Sequence, residues 1–459
     1  MKRKRIMIAA PKSGSGKTTI TCGILQMLKN MGENVVSFKC GPDYIDPMFH
    51  KMVLHIPSRN LDTFFTGESI TKTLFMNHCS ENDFAVMEGV MGLYDGLGGV
   101  REEGSSYHLA KVTKTPTILV VDAKGMGRSV IAMIAGFLSY DTAHLIKGVF
   151  LNRTSRVFFE ILKPLIENEL QIPVVGYFPD EKSFQLKSRY LGLVMPEELD
   201  NIKGQIEKLA FELQKTVSLD TIIQIASEAE ELDVTKEIIS NKNRGTVGDE
   251  CPVIAVAKDE AFCFYYEDNL ALLEEYGAKI SYFSPLHDEH LPEVYHGILI
   301  GGGYPELYAE ALSRNFTLLS ELKGAFENHV PMVAECGGFI YLHDRIRDQN
   351  GMEWPMAGII AGGCHNKEKL VRFGYIEVEE IKSNYLCYGE TIRGHEFHYY
   401  DSEDNGSDCT ATKPVTKRGY PCIHSKDDYW FGFPHLYYPS NPIFAKNFVA
   451  KALNYRNRK

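Results

Sequence analysis

The strongest constraint on this chain lies at its start. An apolar run, Ile6-Met7-Ile8-Ala9-Ala10, leads into Pro11-Lys12-Ser13-Gly14-Ser15-Gly16-Lys17-Thr18-Thr19, and a helical pattern follows over Thr18–Asn30. A buried strand, a glycine-rich turn and a helix start in this order leave little freedom. A strand without a polar face is buried on both sides, which places it inside a parallel sheet covered by helices. The loop's backbone N–H groups and the helix N-terminus then point at an anion. Ser13, Gly14, Ser15, Gly16 and Thr19 line a phosphate cradle in this reading. Lys17 reaches the β- and γ-phosphates of a nucleotide, and the Thr18 hydroxyl binds Mg²⁺. Pro11 stands where the standard motif has its leading glycine, so the strand–loop–helix context carries the assignment.

The same alternation continues. Strand-like runs at Arg5–Ala9, Asn34–Phe38, Phe84–Met87, Thr117–Val121, Ile146–Leu151 and Val174–Tyr177 alternate with helical stretches such as Ser129–Ser139. That pattern predicts βαβ units and the α/β class. Residues 201–249 read as one or two surface helices and an exposed linker ending at Asn241-Lys242-Asn243-Arg244-Gly245. A second α/β series begins at Cys251-Pro252-Val253-Ile254-Ala255-Val256-Ala257. It continues through Lys279–Phe283, Gly297–Ile300 and Met332–Ala334, with strand-rich segments to Phe433. The expected division is 1–200, 201–249 and 250–459.

Composition narrows the function classes. A net charge of −11 argues against a nucleic-acid partner. No apolar run approaches the ~18 residues of a membrane span. Met1-Lys2-Arg3-Lys4-Arg5 imitates a secretion signal, but its apolar core is shorter than the ~7–15 residues required. A cytoplasmic protein is expected. The ten cysteines form no C-x-x-C pair, so reduced thiols are expected rather than disulfides or zinc ligands.

Two acid-bearing loops follow successive strands at the edge where ligands of such sheets bind. They are Lys39-Cys40-Gly41-Pro42-Asp43-Tyr44-Ile45-Asp46-Pro47 and Met87-Glu88-Gly89-Val90-Met91-Gly92-Leu93-Tyr94-Asp95-Gly96. Asp46 and Glu88 are expected as oxygen ligands of Mg²⁺. Asp43 and Asp95 either face the acceptor substrate or orient ammonia, or else form Asx turns. Asn152, at the end of another strand, either reads a nucleobase edge or caps the next helix. Tyr44, His50 and Arg59 stand as candidates for substrate contacts, with structural roles equally open.

A second centre is predicted at Val333-Ala334-Glu335-Cys336-Gly337-Gly338-Phe339. Strand, sharp turn and helix, with small residues after the cysteine, are the mechanics of a nucleophile elbow. The helix N-terminus is expected to favour the Cys336 thiolate. Gly302 and Gly303, in Ile300-Gly301-Gly302-Gly303-Tyr304-Pro305-Glu306, together with Gly337 are expected to form an oxyanion hole. His435, in Gly432-Phe433-Pro434-His435, is the candidate base. His395 and His398 compete for that role.

These segments together resemble the cobyrinic acid a,c-diamide synthases of cobalamin biosynthesis. The likeness rests on the phosphate loop, Gly41-Pro42-Asp43-Tyr44-Ile45-Asp46, Glu88–Gly96 and Tyr190-Leu191-Gly192-Leu193. It extends to Asp259–Tyr266, Gly301–Glu306, Ala334–Gly338 and Arg393-Gly394-His395-Glu396-Phe397-His398. The resemblance implies a dethiobiotin-synthetase-like ATPase domain followed by a class I glutamine amidotransferase domain. It implies that Cys336 releases ammonia from L-glutamine. ATP would activate the a- and c-acetates of cobyrinic acid, or of a related tetrapyrrole, as acyl phosphates. His435 is followed by Leu436-Tyr437, so the acid of the common His-x-Glu pattern is absent, as is usual in this family. A nickel-sirohydrochlorin a,c-diamide synthase shares the motifs. A MinD-like regulatory ATPase, with Lys12 as its signature lysine, accounts for the first half alone. A homodimer is the preferred oligomeric state.

Overall fold

The computed structural model describes residues 3–181, 184, 196–233 and 251–458. Tyr190–Leu193 and the linker at 241–245 lie outside the described residues. The chain divides into two compact units, Met1–Ile239 and Ser240–Lys459.

The first unit is built on seven parallel strands: β1 (Lys4–Ala9), β2 (Asn34–Cys40), β3 (Ser58–Leu61), β4 (Asp83–Glu88), β5 (Thr117–Asp122), β6 (Ile146–Asn152) and β7 (Val174–Phe178). Their order is β3-β2-β4-β1-β5-β6-β7. Its helices are α1 (Lys17–Asn30), α2 (Ile45–Met52), α3 (Thr63–His78), α4 (Ser106–Val112), α5 (Ser129–Tyr140), α6 (Arg156–Leu170), α7 (Pro196–Gln214) and α8 (Leu219–Ser227). From β1 the chain fills one side of the sheet through β4 and then crosses to β5. The carboxyl end of β1 is therefore the switch point where open α/β sheets leave a ligand crevice. Ile6, Ile8 and Ala10 are fully buried there.

The sequence reading sets 201–249 apart, but the structure seals α7 and α8 onto the first unit. Ile206, Leu209, Ala210 and Leu213 form one apolar face of α7 and join the core beneath α1. Gly23 of α1 permits that contact, because a methyl there would lie 2.1 Å from Leu213 Cδ1.

The second unit holds β8 (Val253–Ala257), β9 (Phe262–Phe264), α9 (Glu267–Glu275), β10 (Lys279–Phe283), β11 (Gly297–Ile300), β12 (Gly302–Gly303), α10 (Ala309–Arg314), α11 (Phe316–Glu327), β13 (Met332–Glu335) and α12 (Gly337–Tyr341). Ten further strands follow: β14 (His343–Arg347), β15 (Glu353–Pro355), β16 (Ile360–Asn366), β17 (Arg372–Glu380), β18 (Thr391–His398), β19 (Tyr400–Ser402), β20 (Cys409–Thr412), β21 (Gly419–Cys422), β22 (His424–Lys426) and β23 (Tyr429–Gly432). The chain then forms β24 (His435–Leu436) and α13 (Ile443–Arg456). The central sheet runs β10-β8-β11-β13-β23-β22, parallel except for β22. An antiparallel sheet, β21-β20-β17-β18-β24, carries His435 on its edge strand, opposite His395.

Candidate active sites

The phosphate loop leaves the carboxyl end of β1 as the sequence predicts. Gly14 and Gly16 take φ of 74° and 92°, which only glycine adopts without strain. A methyl on Gly16 would also lie 2.2 Å from Asn152 Nδ2. Asn152 donates from Nδ2 to the Ser15 carbonyl at 2.8 Å, and the Ser15 hydroxyl donates to the Lys12 carbonyl at 3.0 Å. Asn152 therefore braces the loop. It does not cap α6, since that cap is Ser155, whose hydroxyl accepts the Phe158 N–H. Ser13 and Lys12 are exposed, and Thr19 is half-buried behind Thr18. Lys17 is buried and donates to the Met91 carbonyl at 2.5 Å, bringing the two loops together. Burial and the Lys39 charge lower its ammonium to about 8.

The acids converge next to this lysine. Thr18 Oγ1 donates to Glu88 Oε1 at 2.6 Å. Lys39, buried at the end of β2, lies 2.5 Å from Asp46 Oδ2 and 3.0 Å from Glu88 Oε1. Burial raises Asp46, but Lys39 and the nearby His50 outweigh it and bring the carboxyl to about 2. Burial and the Asp46 charge lift Glu88 to about 7 against the pull of Lys39. His50, one helical turn after Asp46, is wholly buried. Its Nδ1 faces Ser37 Oγ at 2.8 Å, and its Nε2 lies 3.6 Å from Glu88 Oε2. His50 thus supports the acid cluster rather than reaching outward. Lys39 is the residue that sequence reasoning missed. Its one signal is a lysine in the otherwise uncharged run Val35-Val36-Ser37-Phe38-Lys39-Cys40.

Asp43 and Asp95 both make local turns. Asp43 Oδ1 accepts the Ile45 N–H at 2.8 Å, and Asp95 Oδ2 accepts the Gly92 N–H at 3.0 Å. Asp43 keeps a second contact to the cluster, its Oδ2 lying 3.9 Å from Lys39 Nζ. The hydroxyl of Thr18 and the carboxylates of Asp46 and Glu88 are the oxygen donors a hard dication takes. Glu88 Oε2 is buried without a hydrogen-bond partner, so the donor set has capacity left. Among the described residues no three His, Cys, Asp or Glu are already gathered as a metal cage.

The second centre is an elbow in which Cys336 takes φ 48° and ψ −103° between β13 and α12. An L-residue in that conformation is strained, and its neighbours hold it there. The Cys336 N–H donates to the Gly432 carbonyl at 2.8 Å, and Gly338 N–H to the Gly301 carbonyl at 3.0 Å. Glycine is sterically required around it. A methyl on Gly338 would meet the Ile300 carbonyl oxygen at 2.2 Å, and one on Gly337 would lie 2.9 Å from the Gly303 nitrogen. Gly303 (φ 156°) tolerates no side chain either, with the Ala261 carbonyl oxygen 2.0 Å from its ideal Cβ. Gly303 and Gly337 thus meet beside the elbow, and Gly302 lies against His435. Gly301 is differently placed, its N–H donating to the Tyr265 hydroxyl at 2.7 Å.

His435 is buried beside Gly302, where a methyl would approach its Cε1 to 2.4 Å. Its ring stacks on His395 at 4.9 Å and 16°. Burial, with His395 and His398 nearby, holds it well below the usual imidazole range. The competitors have other partners. His395 Nδ1 faces the Tyr266 hydroxyl at 3.2 Å, while His398 donates from Nδ1 to the Tyr400 carbonyl at 2.6 Å and stacks on Phe433. Burial pushes the Cys336 thiol up, and Glu306 adds to this. The expected helix-stabilised thiolate is therefore not the resting form. α12 is only five residues long, and desolvation outweighs its field.

Comparison with known proteins matches both halves of the chain. Residues 6–193 match the CobQ/CobB/MinD/ParA nucleotide binding domain, and residues 253–428 match the CobB/CobQ-like glutamine amidotransferase domain. A phosphate-loop nucleotide-binding domain joined to a glutamine amidotransferase domain defines a carbon–nitrogen ligase with glutamine as its nitrogen donor. The cobyrinate a,c-diamide synthase of Caldanaerobacter subterraneus subsp. tengcongensis is 41% identical over 94% of this chain and 92% of its own. That of Picrophilus torridus is 39% identical over 99% of this chain and 100% of its own. That of Thermoplasma volcanium is 36% identical over 100% and 99%. The chain belongs to the cobyrinate a,c-diamide synthase family, a group of cobalamin-biosynthesis ligases. Among the described residues no helix is long and apolar enough to cross a membrane.

Proposed function

We propose that the protein amidates the a- and c-acetate carboxylates of cobyrinate, using ATP to activate each carboxylate and glutamine as the source of ammonia. The observation that carries this reading is that one chain holds two sites of complementary chemistry. One gathers Lys17, Thr18, Asp46 and Glu88 at a phosphate loop; the other has Cys336 at a strained elbow lined by Gly337 and Gly303, with the buried His435 against the adjoining Gly302. Relatives of full length carry the name of this reaction.

In the second unit, neutral His435 takes the Cys336 proton as sulfur attacks the glutamine carboxamide. Backbone N–H groups of Gly303 and Gly337 face the oxyanion that forms. The C–N bond breaks, His435 returns the proton to the departing nitrogen, and ammonia leaves. Water then cleaves the thioester to glutamate and the free thiol.

In the first unit, an acetate oxygen attacks the γ-phosphorus of ATP and ADP departs, leaving an acyl phosphate. Ammonia attacks its carbonyl carbon and phosphate leaves, forming the amide. The activation is required because a carboxylate is a poor acyl donor. Lys17 and the loop N–H groups hold the transferring phosphoryl group. Thr18, Asp46 and Glu88 would hold Mg²⁺, which supplies charge neutralisation at the phosphates. Lys39 keeps the two carboxylates together by its own charge, and Asp43 and Asp95 shape the loops that face the acceptor.

The test is mass spectrometry of cobyrinate incubated with ATP and either glutamine or ammonium. Two amide mass changes are expected. Cys336→Ala should lose them with glutamine and keep them with ammonium. No change on cobyrinate, with amidation of nickel-sirohydrochlorin instead, overturns the substrate assignment.

A further inference from the structure

The glycine loop must leave the central sheet before it can reach the cysteine, and one side chain stands where it leaves. β8 and β11 run parallel and stay paired as far as Ala257 and Ile300. At the next peptide a hydroxyl lies between them. Gly301 donates its N–H to the Tyr265 hydroxyl at 2.7 Å, and that hydroxyl donates to the Ala257 carbonyl. Tyr265 thus takes up the last carbonyl of β8 and the first N–H beyond β11. Two hydrogen bonds through an oxygen span more than one direct N–H···O bond, so the strand ends are held apart at the carboxyl edge.

Beyond Gly301 the chain changes sheet. Gly302 and Gly303 pair antiparallel with Phe264 and Phe262 of β9, with an irregularity between them. Tyr304 then donates its N–H to the Ala261 carbonyl at 2.9 Å. Tyr265 directly follows β9, so the tyrosine and the strand that receives the loop are one piece of chain. This course brings the Gly303 nitrogen to 2.9 Å from where a methyl on Gly337 would stand, beside the cysteine elbow. The Gly301 carbonyl accepts the Gly338 N–H at 3.0 Å. Gly301 is therefore tied through its N–H to Tyr265 and through its carbonyl to the helix that follows Cys336.

Packing alone does not require the hydroxyl. The Tyr265 ring lies against Gly301, where a methyl would come within 2.6 Å of Cε1 and Cζ. A phenylalanine would fill the same space. A hydroxyl withdrawn from water is costly unless it is bonded, and this one has both a donor and an acceptor as partners. Both are main-chain groups at the point where the loop departs. Their roles are fixed, since an amide N–H only donates and a carbonyl only accepts. Removing the oxygen leaves the two strand ends without the bridge that spaces them.

Building on the glutaminase reading above, we infer that Tyr265 is a positioning residue of the oxyanion hole. Its hydroxyl, set between the Ala257 carbonyl and the Gly301 N–H, fixes the departure of Gly301–Gly303 and with it the place of the Gly303 N–H relative to Cys336. It acts through the backbone and not by contact with the reacting atoms. The oxyanion exists only while the carboxamide is under attack, so a displaced donor lowers kcat and leaves glutamine binding as it was.

Steady-state glutamine hydrolysis and ammonium-dependent amidation of the full chain test this. Tyr265→Phe should lower kcat for glutamine hydrolysis about 100-fold, with KM for glutamine unchanged and ammonium-dependent amidation intact. Iodoacetamide separates the hole from the rest of the centre. It alkylates a thiol by displacement of iodide, with no tetrahedral oxyanion. Its rate at Cys336, followed by mass spectrometry of the peptide, should therefore equal that of the unsubstituted protein. Gly301→Ala, whose methyl must displace the same ring, should repeat the pattern, which keeps the test open if Tyr265→Phe does not fold. An unchanged kcat in either variant, a loss carried by KM, or alkylation of Cys336 slowed as much as turnover overturns the inference. Full glutamine-dependent activity in Cys336→Ala overturns the glutaminase reading itself, and this inference with it.

Discussion

At the residue scale, the legible positions are those where local backbone geometry demands a residue type. Gly14 and Gly16 occupy left-handed conformations, and Gly338 and Gly303 sit where a carbonyl oxygen would collide with any side chain. Cys336 is readable because it stands between a strand and such glycines. Lys39, His50 and Tyr265 are not readable, since their roles come from partners 49, 38 and 36 residues away. No local pattern records a contact of that kind. Gly302 offers a direct check of the second site. In Gly302→Ala the new methyl, 2.4 Å from His435 Cε1, must push the imidazole aside. Glutamine-dependent amidation should fall about 100-fold, while the ammonium-dependent rate holds. Equal losses in both assays would show that the two loops serve folding instead.

At the scale of elements, the parallel strands of the first sheet were legible as apolar runs at regular spacing. The exception is β3, Ser58-Arg59-Asn60-Leu61, whose short polar sequence becomes a strand only by pairing with β2 at the sheet edge. The helical pattern of α7 was also legible, but its membership was not. An amphipathic helix declares that one face is covered without saying by what. The brace between β6 and the phosphate loop is a further contact of this sort. Asn152→Ala leaves the buried Ser15 carbonyl without its donor, a loss on the order of 1–3 kcal/mol. Nucleotide affinity measured by titration calorimetry should weaken by about tenfold or more, because a defect of 1.4 kcal/mol in the bound loop is already tenfold. Unchanged affinity would mean that the bonds of Ser15, Lys17 and Arg153 hold the loop without Asn152.

At the scale of the molecule, several imidazoles are buried in neutral form. Burial holds His343 and His50 at about 4 and His395 at about 3, against an ordinary 6.5. The unfolded chain therefore binds protons that the fold refuses. Their contribution to stability is full above about 6.5 and is lost as pH falls through 6.5 toward 4 and 3. This contribution lowers the urea midpoint over that interval, while Glu88 and Glu306, whose carboxyls burial lifts to about 7, act in the opposite sense down to about 4.5. His343 donates from Nδ1 to the Phe339 carbonyl at 2.8 Å, on the helix that follows the cysteine elbow. His343→Asn, which cannot take up the proton, should show a shallower drop between the same limits. Identical slopes in the two proteins would remove His343 from this account.

Taken by itself, the sequence determined the class of fold, the phosphate loop, the acid-bearing loops and the cysteine elbow. Each is a short-range pattern, set by strand periodicity, by glycine at left-handed or crowded positions, and by residue types at strand ends. Only the tertiary structure decided what surrounds them. It placed the Lys39 ammonium between Asp46 and Glu88, and it turned Asp43 and Asp95 into loop-forming residues as well as acids. It made Asn152 a brace and left the Cys336 thiol protonated. Those outcomes are set by burial and by charges from distant segments, which exist only once the sheets have assembled.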